Sequence, residues 1–217
     1  MNMTNQVNRP YRQTARAQQA EATGERIIDS FIAHISARWF DEVRLEDVAM
    51  DAKVTVQTLI RRFGSKEGLL DAAFRQMEVQ LPRRRASPVG KLPSIVDAII
   101  VEYEKIGGFV LRLLAQEDRY PAIRRVTDGG RRSHRAWVDR MFSPWLDGMD
   151  EPHRQTAHDR LVIALDLYVW KLVRRDMERS VPCLRQIMTG MCVAALSPMP
   201  EGAARIAAME TGDVEQG

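Results

Sequence analysis

An all-α protein built from two helical parts, about nine helices in total, is the fold class this 217-residue sequence predicts. Three observations carry that expectation. Apolar residues recur at three- and four-residue spacing along most of the chain. Strand-like alternation is nearly absent. One shift in composition, at Pro82, Pro88, Gly90 and Pro93, separates a first group of helices from a second. With 45% hydrophobic and 28% charged residues, the chain has ordinary globular composition and enough apolar material for a real core.

From Glu21 to about Trp39, the residues Ile27, Ile28, Phe31, Ile32 and Ile35 form one helical stripe, with Thr23 as candidate cap and Glu25 in the first turn. A short second helix from about Leu45 to Asp51 buries Leu45, Val48 and Ala49. A third, Val56 to Phe63, has Thr55 as N-cap and turns Leu59 and Phe63 inward. Gly64 breaks the chain and Ser65 caps a fourth helix that carries Leu69, Leu70, Ala73, Phe74 and Met77 to about Leu81. Beyond the linker, a helix from about Ser94 to Ile106 is expected to end at Gly107-Gly108, and another covers Phe109 to about Gln116. Pro121 suits the first turn of a long helix through Trp145, which Gly129-Gly130 should kink or split. Asp150 and Pro152 open a helix with Leu161, Leu165, Tyr168 and Leu172 on one face. Ser180 and Pro182 open the last, with Leu184, Ile187, Met188, Met191, Cys192 and Ala195. The expected organisation is a disordered basic arm (1–22), a helix-turn-helix domain with its connecting fourth helix (23–81), a linker (82–93), a second helical domain (94–197) and a disordered tail (198–217).

Several function classes are excluded at this stage. No apolar run approaches the roughly 18 residues that a membrane span requires. Met1 to Ala22 has no apolar signal core, so a cytoplasmic protein without a membrane partner is expected. Cys183 and Cys192 are too far apart on one helix to bridge and read as reduced thiols. His153 and His158 are five apart, off the spacing of two metal ligands on a helical face. No phosphate-binding glycine loop and no nucleophile–base pairing is present, so no enzyme, metal or cofactor is expected.

Net charge is only +3, and its distribution says more than its size. Bases without acids cluster at Arg9, Arg12 and Arg16, at Lys53, Arg61, Arg62 and Lys66, and at Arg83 to Arg85. From Ala52 to Lys66 there is no acid at all. The second and third helices are joined by the three-residue turn Ala52-Lys53-Val54, the layout of a helix-turn-helix whose second helix enters the major groove of DNA. Val48, Ala49, Val54, Leu59 and Phe63 anchor the unit. On the outward face, the Gln57 amide and the apolar Val56 and Ile60 suit base edges. Thr55, Thr58, Arg61, Arg62 and Lys66 suit phosphates. Lys66 opposes the dipole at the start of the fourth helix, a placement that a phosphate would explain. Arg9, Arg12 and Arg16 either follow the DNA or form a tail without that role.

The run from Arg26 to Phe74 resembles the N-terminal domain of the tetracycline-repressor (TetR) family without a gap. The resemblance lies in Arg26-Ile27-Ile28, Asp47-Val48-Ala49, Thr58-Leu59-Ile60-Arg61-Arg62-Phe63 and Ser65 to Leu70. "LRLLAQEDRYP" and "LDLYVWKLVRRD" are reminiscent of the family's regulatory domains. This chain differs in the turn, where Lys53 stands in place of glycine; a side chain in left-handed backbone costs about 1 kcal/mol. Ile60 replaces a tyrosine, Arg62 a histidine, and Val43-Arg44 a threonine pair, so Arg44 joins the candidate phosphate contacts.

The resemblance implies a dimeric transcriptional regulator, a repressor, that binds a palindromic double-stranded operator and releases it when a small-molecule effector enters the second domain. Tyr103, Trp137, Met141 and Tyr168 are the candidate pocket residues, or plain core. Asp166 is either a buried acid for a polar ligand group or an exposed residue. Leu161, Leu165, Leu172, Leu184, Ile187, Met188 and Met191 either pair with their copies as a homodimer interface or complete the monomer's core. The alternative function is an all-α small-molecule-binding or protein-interaction module without sequence-specific DNA binding.

Overall fold

The computed structural model describes residues 8–197, apart from the side chains of residues 8–13 and 15. Every regular element among them is helical: α1 (Asn8–Ala37), α2 (Leu45–Asp51), α3 (Val56–Phe63), α4 (Lys66–Arg84), α5 (Leu92–Leu114), α6 (Pro121–Leu146), α7 (Glu151–Ala164), α8 (Leu167–Lys171), which runs into a π-helical turn (Leu172–Asp176), and α9 (Val181–Leu196). None of these helices is long and apolar enough to cross a membrane.

The caps read from the sequence at Thr55 and Ser65 are in place, and Asp150 and Ser180, read as helix starts, are caps as well. Their side-chain oxygens accept from the backbone N–H of Thr58, Gly68, His153 and Cys183. Thr23 is not a cap. α1 starts at Asn8, so residues 8–22, expected as a disordered arm, are helical, and the Thr23 hydroxyl donates to the Gln19 carbonyl at 2.8 Å. That extension has no apolar stripe and so gives no periodic signal. Its run of Thr14-Ala-Arg-Ala-Gln-Gln-Ala-Glu-Ala22 consists almost wholly of strong helix formers. Residues 1–7 and the tail 198–217 lie outside the described residues.

Two expected breaks are absent. α5 runs through Gly107-Gly108 and α6 through Gly129-Gly130 without interruption. The reason at Gly129 is packing: a Cβ there would stand 2.8 Å from a ring carbon of Phe74, so glycine lets that ring close on the helix. A break appears instead after Ala164, where Asp166 caps α8 by accepting from Tyr168 N at 2.8 Å. The half-buried Asp166 carboxylate therefore has a structural role. The linker is shorter than expected, because α4 continues through Pro82 to Arg84.

The chain divides into two compact units, one drawing on residues up to Ala86 with Val101–His134, the other on Ser87–Ile100 with residues from Arg135 onward. In the first, Ile27, Phe31 and Ile35 of α1 meet Val48 and Ala49 of α2, Leu59 of α3, and Leu69, Leu70 and Ala73 of α4. Leu113 of α5 and Ala122, Ile123 and Val126 of α6 close this core. In the second, α7 packs along α9. Arg154 pairs with Asp139, and Arg185 of α9 with Asp97 of α5.

Candidate nucleic-acid interface

The turn between α2 and α3 is built by hydrogen bonding. Lys53 N donates to Met50 O at 3.0 Å and Val54 N to Ala49 O at 2.9 Å, which satisfies the last carbonyls of α2. This pairing requires left-handed backbone at Lys53, whose φ is +56°. The strain expected there is thus real, on the order of 1 kcal/mol. α2 is held to α1 by His34–Asp51 at 2.8 Å and by Ser30 Oγ donating to Val48 O at 3.1 Å, and to the loop that follows α1 by Arg38–Asp47 at 2.8 Å.

With Leu59 fully buried and Phe63 packed against the core, α3 can present only one edge to a partner. Gln57, Ile60, Arg61 and Arg62 are exposed on it, together with Thr55 at its start, while Val56 and Thr58 are half-buried. The hydroxyls of Thr55 and Thr58 lie 2.9 Å apart and cap the helix jointly. Arg44 is exposed at the start of α2 and, having no acceptor, gives that helix no side-chain cap. Gly64, at φ +80°, ends α3, and Gly68 is required by close approach, since a Cβ there would stand 2.0 Å from Phe63 O. The sequence reading missed the role of Gly68; its only signal is a glycine in a helix's first turn.

Lys66 is corrected by the structure. Its ammonium donates to the carbonyls of Phe40 at 2.7 Å, Val43 at 3.1 Å and Asp41 at 3.4 Å, and stands 4.7 Å from the Phe40 ring centroid. It ties the α1–α2 loop to α4, which accounts for a lysine at a helix start without any phosphate. The third basic cluster is corrected too. Arg83 is exposed, but Arg84 donates to Met77 O at 2.9 Å, and Arg85 is buried and bonded to the buried Glu102. Arg85 also lies 3.3 Å from His134 Nδ1 and 5.9 Å from the Tyr103 ring centroid.

Arg62 has a use the sequence did not suggest. Its Nη1 donates to Ala20 O of α1 at 2.7 Å, and its guanidinium so fills the space beside Gly24 that a Cβ there would come within 2.3 Å of Nη2. Arg16, Gln19, Ala20 and Thr23 of α1 then face Thr58, Arg61 and Arg62 of α3 across a concavity of about 450 Å³. No acid lines it. Arg16 and Arg61 make no hydrogen bond or ion pair with any described residue. Arg9 and Arg12 belong to the side chains outside the description.

The remaining candidates separate. Tyr103 is buried in the first unit, Trp137 and Met141 are buried in the second, and Tyr168 is 57% exposed, too open for an enclosed pocket. Of the candidate interface residues, Leu161, Leu165, Leu184 and Met188 are fully buried within the unit, because α7 and α9 turn these side chains toward each other's side of the fold. They complete the core. Leu172 is exposed, and Ile187 and Met191 are half-buried. The exposed apolar side chains of this region are Ile163, Tyr168, Leu172, Met177 and Val193.

Residues 27–73 match the family model described as bacterial regulatory proteins, tetR family. Among solved structures, the chain is similar to a protein assigned as a transcriptional regulator from Pseudomonas aeruginosa PAO1, with 16% identity and TM-score 0.66, over 81% of this chain and 91% of that one. It is also similar to a transcriptional regulator from Rhodococcus sp. Rha1, with 14% identity and TM-score 0.62, over 80% of this chain and 95% of that one. At such identities the likeness is one of fold. No curated protein matches the sequence.

Proposed function

We propose, from the match of residues 27–73 to the family model of bacterial regulatory proteins, tetR family, that the chain is a ligand-responsive transcriptional repressor. In this reading residues 23–81 bind DNA, and residues 94–197 dimerise and take up a small-molecule effector whose arrival releases the operator. The observation that carries it is the division of labour on α3: Leu59 is fully buried, while Gln57, Ile60 and Arg61 are exposed on a helix without an acid. Gln57 and Ile60 supply an amide and an apolar surface for base edges, and Arg61, Arg44 and the Thr55 hydroxyl supply phosphate contacts. An eight-residue recognition helix reads too few base pairs to be selective alone, which favours a homodimer on a palindrome. The exposed Ile163, Tyr168, Leu172 and Val193 offer an apolar face for pairing.

Electrophoretic shifts with fragments from upstream of the protein's own gene test the reading. Gln57→Ala should relax specificity at one position by about 1–3 kcal/mol per half-site, whereas Arg61→Ala should weaken specific and mixed-sequence duplexes alike. A Gln57→Ala/Arg61→Ala double variant that binds as well as the parent would show that α3 is not the reading surface.

A further inference from the structure

The α1 extension raises a question that the family match, which begins only at residue 27, does not touch. Residues 16–22 are all exposed, so the extension buries almost no apolar surface, and an isolated polar helix of this kind is marginal in water. Yet it is fastened to α3 by the Arg62–Ala20 hydrogen bond, at a point where Gly24 leaves room for the guanidinium. The fastening brings Arg16, Arg61 and Arg62 to one concavity with the amide of Gln19 and the hydroxyls of Thr23 and Thr58, and with no carboxylate among its lining. Three like charges gathered in one hollow repel each other unless an anion is drawn in. Arg16, Gln19 and Thr23 follow one another at three- and four-residue spacing, so they share one helical face and form a row of donors along the groove.

We propose that this groove seats the sugar-phosphate backbone of DNA beside the base pairs that α3 reads. Arg16 and Arg61 bind phosphate oxygens. Arg62 is a positioning residue that sets the separation of α1 and α3 through Ala20 O. The proposal rests on α3 being the reading helix, and it extends the contact surface to a part of the chain outside the family match.

The test uses the full-length chain and two labelled duplexes of equal length, one from upstream of its own gene and one of mixed sequence, with affinity followed against KCl. Removing one phosphate contact per protomer lowers the slope of log K against log salt by about 0.9, or about 1.8 for a dimer. Arg16→Ala should therefore flatten the slope by roughly that amount on both duplexes, and Arg16→Lys should restore it. Gly24→Ala, which keeps every charge but displaces the Arg62 guanidinium, should weaken both duplexes while the protein still unfolds in one cooperative urea transition. An unchanged slope in Arg16→Ala, with Arg61→Ala still disabling binding, would overturn the groove and leave the function of α3 standing. A parent that binds neither duplex would overturn both. If inorganic phosphate stabilises the parent but not Arg16→Ala while the DNA slopes coincide, the groove takes a free anion and the backbone assignment fails.

Discussion

Arg61 and Arg85 are the same side chain in opposite settings. Arg61 stands exposed on α3 with no partner among the described residues; Arg85 is buried at the end of α4, bonded to a Glu102 that is buried as well. Both sit in short runs of arginine that look alike in the sequence. The difference teaches that a basic cluster signals a polyanion partner only where the fold withholds a carboxylate from it. α3 and the facing turns of α1 withhold one, while the end of α4 meets α5 and finds one there.

The strongest way to break this comparison is to remove the carboxylate. Glu102→Ala removes the buried carboxylate that Arg85 and Arg84 share and should cost about 3–5 kcal/mol of unfolding free energy in urea titration, since truncating one side of a buried ion pair is strongly destabilising. Its counterpart Arg61→Ala should change stability by less than about 0.5 kcal/mol, because an exposed, unpaired side chain contributes little to folding. If the two variants unfold at the same urea concentration, the contrast between the two arginines is not energetic.

Lys66 sharpens the same point at an intermediate size. Its three donors end on loop carbonyls that have few other partners, so Lys66→Met, which keeps the apolar stem over Phe40, should cost about 1–3 kcal/mol. On folded protein it should leave the salt slope of DNA binding as it is. A slope reduced by about 0.9 per protomer, with stability intact, would return Lys66 to the phosphate contacts.

What the sequence disclosed follows from which signals are local. The caps at Thr55 and Ser65 and the inward Leu59 and Phe63 were legible, because each depends on neighbours within about one turn, whereas the left-handed backbone at Lys53 was implied only by the family resemblance. Core against interface was not. Leu161, Leu184 and Leu172 carry the same periodic signature, and only tertiary packing buries the first two and leaves the third exposed. Glycines misled for a related reason. Gly107 and Gly129 read as helix breaks, but both helices run through them; at Gly129 the reason is that Phe74 packs against the bare backbone. The groove stayed hidden because the hydrogen bond that makes it, Arg62 to Ala20, spans 42 residues and leaves no trace in composition.

The smallest expected effect concerns a pair between the two extremes. Arg131 of α6 donates to Glu117 at 2.5 Å, and the Thr127 hydroxyl donates to the other carboxylate oxygen, also at 2.5 Å. The Arg131 hydrogen bond is the main reason the Glu117 carboxyl is held below the ordinary glutamate value, against the opposing effect of burial. Because its folded pKa is depressed, the pair's contribution is fully present above the unfolded value of about 4.3 and is lost as pH falls through the lower folded one. Arg131 is more than a third exposed, so solvent screening limits the contribution to about 1 kcal/mol or less. Urea midpoints of the parent should therefore fall more steeply below about pH 4.3 than those of Glu117→Gln, and run parallel to them above about pH 6. Parallel curves throughout would show that the Arg131–Glu117 pair adds nothing to stability; a gap of several kcal/mol would place Glu117 with Glu102, in the interior.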